Sequence, residues 1–164
     1  GSSVALAPRA KAAMGNAPGL GESAEDSAEA KRAEVAELAA LLRRATALTG
    51  DPDALEAECG AQFGRLGLDA RSEIRRVELR RLLFQLAQRL GSTELSWEAL
   101  EACAIAGTVE PEATVATYAE FCRCTLKTAH LVALELQRKL AAASSEASRP
   151  SEAEQGPGGG EAAA

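Results

Sequence analysis

His130 is the only histidine of the chain, and it shares its stretch with two of the four cysteines, Cys122 and Cys124. An imidazole is the commonest general base, and a thiol beside it can become a nucleophile. The spacing works against that chemistry. On a helix, Cys122 and His130 stand about 12 Å apart along the axis at 1.5 Å per residue, beyond hydrogen-bond reach. Cys103 could approach either from a neighbouring segment, but nothing in the spacing requires it. The reading is a partly exposed histidine among cysteines that pack as small hydrophobes. Cys122-Arg123-Cys124 suggests a metal clip, yet helical residues two apart diverge by about 200°. Zinc needs ligands converging on one point, usually from Cys-x2-Cys in a turn. Cys122 is therefore expected in the core and Cys124 nearer the surface. The glycines at 50, 67, 91 and 107 read as helix ends, and Gly158-Gly159-Gly160 lacks the lysine and following helix of a phosphate loop. No catalytic residue, metal site or cofactor is expected, and the chain reads as non-enzymatic.

The arginines give a stronger signal. Between Arg71 and Gly91 lie six arginines and only two acids, in a chain whose net charge is -6. Arg75, Arg76, Arg80, Arg81 and Arg89 are the candidate partner-binding residues. Arg76 and Arg80 share a helix face with Arg75 nearby, while Arg81 and Arg89 lie further round. One account pairs them with Glu73, Glu78 and acids on neighbouring helices. The other makes them a docking strip for an acidic or amphipathic helix of another protein, a phosphorylated peptide or nucleic acid. The acidic balance and the lack of interleaved aromatics argue against nucleic acid.

The elements that would carry these residues are helical. Alanine and leucine dominate the apolar fraction, aromatics are few, and no stretch alternates with period two. An apolar stripe runs Val115, Ala119, Cys122, Leu126, Ala129, Ala133, Leu136, Leu140, the step of one helix seam packed on another. It predicts a long helix beginning at Glu110-Pro111-Glu112. Four helices precede it. The first covers about 29–48, with Val35, Leu38, Leu42, Ala45 and Leu48 on one face. Asp51-Pro52 opens the second, which buries Leu55, Cys59, Phe63 and Leu66. Asp69 or Ser72 caps the third, with Ile74, Val77, Leu82, Leu83, Leu86 and Leu90 inward. Ser96 caps the short fourth, with Trp97, Leu100, Cys103 and Ala104 inward. The fold class is all-α, an antiparallel bundle of about five helices with a long C-terminal helix. The domain is expected over 29–142, between disordered arms at 1–28 and 143–164 whose composition offers little to bury. No internal repeat is visible. No apolar run approaches the roughly 18–20 residues that span a bilayer. Cysteines in helical patterns suit a reducing, intracellular compartment, cytoplasm or nucleus, and no membrane partner is expected.

Ile74-x-x-x-Glu78-Leu79-x-x-Leu82-Leu83 and Thr117-Tyr118-Ala119-Glu120-Phe121 each resemble the loop end and exit helix of an EF-hand, the helix–calcium-loop–helix unit of calmodulin-like proteins. That resemblance implies a pair of such units, with Glu78 and Glu120 where the family has its bidentate calcium ligand. The windows depart from the pattern. Gly67, Asp69 and Arg71 occupy the first three ligand places of one loop, and Val109, Pro111 and Ala113 those of the other. Ser72 and Thr114 stand where a glycine makes the bend. Neither loop is suited to calcium, so what the resemblance implies is a calcium-free relative that binds a target helix. It also conflicts with a helix start at Glu110-Pro111. Residues 52–125 are in addition similar to the cyclin-like five-helix domain found in origin recognition complex subunit six, through the helix Asp53 to Leu66, the segment Gly67-Leu68-Asp69-Ala70-Arg71-Ser72 and the leucine-rich helix after it. That similarity implies nuclear work, with the arginines on a DNA backbone. From the residues themselves, the expected function is that of an interaction module, an adaptor or small complex subunit. It would dock partners through the arginine face and the long C-terminal helix, with self-association as a further use of that helix.

Overall fold

The computed structural model describes residues 19–148, with side chains from residue 26. Of the expected disordered arm 1–28 and tail 143–164, residues 1–18 and 149–164 lie outside the described residues, whereas 19–28 and 143–148 are helical. The fold is all-α, with five helices and two three-residue strands. These are α1 (Gly19–Gly50), α2 (Pro52–Arg65), β1 (Glu73–Arg75), α3 (Arg76–Arg89), α4 (Trp97–Leu100, prolonged by a π-helical turn Glu101–Ile105), β2 (Val115–Thr117) and α5 (Tyr118–Ser148). The described residues fall into two compact units, 19–36 with 142–148, and Glu37–Ala141. In the first, Lys31 and Glu146 form an ion pair. The second holds every candidate residue. Among the described residues, no helix is long and apolar enough to cross a membrane.

Local chemistry accounts for most boundaries. The Asp51 carboxylate accepts from the Asp53 N–H at 3.0 Å, and Pro52 fits the first turn of α2. Helices α2 and α3 both end at a glycine with positive φ, Gly67 (75°) and Gly91 (103°). In each case the next residue reaches back, Leu68 N–H to the Phe63 carbonyl and Ser92 N–H to that of Ala87, both at 2.9 Å. Ser96 caps α4 by accepting from the Ala99 N–H. Helix α1 starts at Gly19, ten residues ahead of the expected boundary.

The long helix begins at Tyr118, not at Glu110-Pro111-Glu112. Thr117 and Glu120 supply the start: Glu120 N–H donates to Thr117 Oγ1 at 3.1 Å, and Thr117 N–H to the Glu120 carboxylate at 2.9 Å. This reciprocal box satisfies two end donors at once. Pro111 lies instead in a turn closed by Ala113 N–H to the Glu110 carbonyl. Val115 therefore belongs to a strand, and β2 pairs antiparallel with β1: Glu73 with Thr117, Ile74 with Ala116, Arg75 with Val115. The third helix likewise starts at Arg76 rather than after Asp69 or Ser72. Those two residues close the preceding loop, with Asp69 Oδ1 accepting from the Arg71 N–H and the Ser72 hydroxyl.

Two clusters form the core of the unit Glu37–Ala141. One gathers Cys59, Phe63, Ile74, Leu79, Leu82, Leu83, Leu100, Ile105, Ala116, Phe121 and Cys124 around the strand pair. The other sets Leu38, Leu41, Leu42, Ala45 and Leu48 of α1 against Leu86, Ala87 and Leu90 of α3 and Ala129, Val132, Ala133 and Leu136 of α5. The buried stripe of α5 keeps the expected Ala129, Ala133 and Leu136 and departs from the expected one only in the first turns. Cys124 is fully buried and Cys122 only partly, Ala119 is exposed and Leu126 half-buried. Val77, Trp97 and Cys103, expected inward, are exposed. The π turn turns Ala104 and Ile105 inward and leaves Cys103 outside.

Candidate functional site

The five candidate arginines do not share one strip. Arg75 ends β1, is exposed and makes no side-chain cap for α3. Arg76 turns inward across the strand pair. Its Nε and Nη2 donate to the Glu101 carboxylate at 3.2 and 2.5 Å, and its Nη1 to the carbonyls of Glu110 (2.9 Å) and Ala113 (3.2 Å). Its backbone N–H reaches the Thr114 carbonyl at 2.8 Å. One guanidinium thus ties α3 to the π turn and to the loop ahead of β2. Its planar fork suits this, because a lysine offers only a point charge. Arg80 stands 3.6 Å from the other Glu101 oxygen, Arg81 pairs with Glu78, and Arg89 with Glu58 at 3.1 Å. The Arg89 carbonyl also accepts from Arg44 at 3.1 Å, a cation placed at the negative end of α3. The expected pairing with acids on the same and neighbouring helices is what the geometry contains for Arg76, Arg80, Arg81 and Arg89.

Counting twelve residues back from Glu78 and Glu120 places Ile74 and Ala116 at the same, eighth, position of each window. These are the two residues facing each other in the strand pair, and both are buried. Each window is entered from a helix (α2, α4) and left by another (α3, α5), a structural repeat that the sequence does not display. Of the six acids in the windows, three are engaged, Asp69 by its own loop, Glu78 by Arg81 and Glu120 by the cap of α5, while Glu73, Glu110 and Glu112 are exposed. Among the described residues, no three His, Cys, Asp or Glu side chains gather as a metal would need.

Three of the four thiols are disfavoured as thiolates. Burial pushes Cys59, Cys122 and Cys124 up, the last to about 11. His130 is exposed on α5. The helix α5 itself is not an open seam in this unit, since α1 covers Ala129, Val132, Ala133 and Leu136.

Two polar residues escaped the sequence reading. Glu101, the anchor of Arg76, had no distinguishing pattern. Glu135 is nine-tenths buried and organises the connection between α3 and α4: it accepts from Ser92 Oγ at 2.7 Å, from Thr93 N–H at 2.9 Å and from Lys139 at 2.8 Å. Burial alone would raise this carboxyl, but those donors outweigh it and hold it below the usual range. Its four-residue spacing to Lys139 was the available signal.

Three apolar side chains remain at the surface of α2, α3 and α4. Leu66 is 38% exposed, Val77 52% and Trp97 40%. The Trp97 ring stacks on Phe84 at 4.4 Å. Compared with protein-family models, with curated proteins and with solved structures, the chain matches none of them.

Proposed function

We propose that the unit Glu37–Ala141 is a calcium-independent, EF-hand-like pair that serves as a non-enzymatic interaction module, an adaptor or small complex subunit that binds a helix of its partner. One observation carries this reading: the two windows ending at Glu78 and Glu120 meet through equivalent residues, Ile74 and Ala116, and each continues into a helix. Calcium independence is supported by the residues inside the windows. Val109, Pro111 and Ala113 offer no side-chain oxygen, and the Arg76 guanidinium already holds two carbonyls of the second loop. A bound calcium ion needs six to eight oxygens, several of them charged. The non-enzymatic reading is supported by the raised thiols of Cys59, Cys122 and Cys124 and by the exposure of His130. Four unpaired cysteines suit a reducing compartment.

Calorimetric titration with calcium and thermal melts in calcium and in chelator test the reading. No heat of binding and one melting temperature are expected. A calcium-dependent rise in melting temperature overturns calcium independence. Crosslinking in native extract containing chelator is expected to link α3 or α4 to a partner protein. Turnover of any substrate that depends on His130 or a cysteine would overturn the non-enzymatic reading.

A further inference from the structure

We infer that the outward face of α3, with the ends of α2 and α4, is a docking surface for an acidic amphipathic helix of another protein. This rests on the interaction-module reading above and gives it a place and a partner chemistry. Val77, Arg81, Gln85 and Arg89 recur every fourth residue and form one stripe along α3. Two open clefts flank it. One lies between α2 and α3, where Arg65, Leu66, Arg81 and Arg89 meet over a cavity of about 430 Å³. The other lies between α3 and α4, lined by Val77, Arg80, Arg81, Trp97 and Glu98. Arg81 lines both, so the clefts adjoin at its side chain.

The composition of this surface selects the occupant. Of the five large hydrophobic side chains that are exposed among the described residues, Leu66, Val77 and Trp97 lie here. Isolated exposed apolar residues are ordinary, but three around two adjoining clefts make a patch. Arginine and tryptophan are the residue types that most often carry binding energy at interfaces. Four arginines surround the patch against one acid in the cleft linings, Glu98. Arg65 has no ion-pair partner among the described residues, and the side chains of Arg80, Arg81 and Arg89 keep about two-fifths of their surface in water despite their partners. A nucleic acid would use the charge and leave the apolar pair of clefts empty. A phosphorylated loop would do the same. A helix with leucines along one side and Asp or Glu on its flanks fills both requirements. Helix α3 is 14 residues long, about 21 Å at 1.5 Å per residue, which matches four turns of such a partner.

Trp97 is the only tryptophan of the chain and lies in the second cleft, so its fluorescence reports occupancy directly. The probe is a synthetic helical peptide of about four turns, leucines on one face and glutamates on the flanks. Two controls share its leucines: one with lysines for glutamates, one with the leucines dispersed. Binding of the acidic peptide alone, with a blue shift of Trp97 emission, is expected. Arg65→Glu with Arg81→Glu should weaken it about tenfold, as reversal of two exposed pairs implies. Leu66→Ser should weaken it without changing the salt dependence. Arg65→Glu alone breaks no side-chain hydrogen bond or ion pair among the described residues and keeps the test valid if the double variant misfolds. Equal binding of the dispersed-leucine peptide, or preference for a phosphopeptide or a DNA duplex, overturns the amphipathic-helix assignment. Binding that ignores Arg65, Leu66 and Arg81 overturns this surface while leaving the interaction module in place. Failure of the acidic, basic and dispersed peptides alike counts against both.

Discussion

Replacing Arg76 with methionine keeps the aliphatic stem and removes the guanidinium. Four side-chain hydrogen bonds go with it: two to Glu101 and two to the loop carbonyls of Glu110 and Ala113. A hydrogen bond to a charged group contributes about 1.5–3 kcal/mol when enclosed, but Arg76 and Glu101 keep 20% and 32% of their side-chain surface in water. Solvent then replaces part of what is lost, and an exposed pair contributes only about 0.2–1 kcal/mol. Roughly 1 kcal/mol for the carboxylate and between 0.5 and 1 for each carbonyl give a loss of about 2–3 kcal/mol. At about 3–5 °C per kcal/mol for a chain of this size, the melting temperature falls by about 6–15 °C. Arg76→Lys recovers the charge but not the fork, so about half the loss should remain. Circular dichroism melts measure the effect, and amide exchange at Val109 and Ala113 locates it. Calcium should not rescue Arg76→Met, because Val109, Pro111 and Ala113 contribute no carboxylate. A melting temperature within about 2 °C of the parent, with loop exchange unchanged, would refute the strut.

Glu135→Gln should cost about 2 kcal/mol in a urea melt, since a buried carboxylate with three donors is replaced by one neutral acceptor. The parent's Glu135 carboxyl is held low in the folded state, so its contribution is complete above the ordinary value of 4.5 and disappears as pH falls through the folded one. The variant should therefore show a flatter acid limb. Gly91→Ala should destabilise by about 1–3 kcal/mol, because φ is +103° and the new Cβ would meet Leu41 Cδ1 at 2.8 Å. Suppression by a smaller residue at 41 would show how much of that loss is the collision. In thiol labelling of the native chain, Cys103 should react first, Cys122 slowly, and Cys59 and Cys124 only on unfolding, as read by mass spectrometry.

The helices were legible because their signals are local. Asp51-Pro52 and Ser96 act as caps where they stand, and Gly67 and Gly91 stop helices through their own backbone freedom. The strands were not legible, because three residues with a single buried centre carry too little alternation to register. That omission moved the start of α5. Glu110-Pro111-Glu112 has a good composition for a helix start, but the Thr117–Glu120 box has it too, and pairing of Val115–Thr117 with β1 decides between them. The exchange of roles between Cys122 and Cys124 is confined to the first turns of α5, where Phe121 and Cys124 pack into the cluster around the strand pair, while Ala129, Ala133 and Leu136 keep their expected places. Of the arginines, charge and spacing were readable, but direction was not. Whether Arg76 points to solvent or to Glu101 depends on where a distant π turn lies. Trp97 reads as core by hydrophobicity. It is exposed because α4 is short and Phe84 covers only one of its faces.

A calcium-responsive pair works when the ion favours one arrangement over another, and an ion with equal affinity for both shifts nothing. Here the second loop holds a guanidinium supplied by the chain, and in the first Asp69 and Glu78 are engaged by Ser72 and Arg81. The α5 surface at Ala129, Val132, Ala133 and Leu136 is covered by α1. On the proposed reading, ion and helix positions are both filled from within. Partners then meet a finished surface on the outer side of α3 instead of one opened by an ion. Association at a finished surface is a single step whose rate is proportional to partner concentration and falls with salt when arginines steer the encounter. Stopped-flow traces of Trp97 emission with the acidic peptide should follow that law up to the highest concentration mixed. A rate that levels off would mean that a slow rearrangement, before or after the encounter, limits docking, and would refute the finished surface.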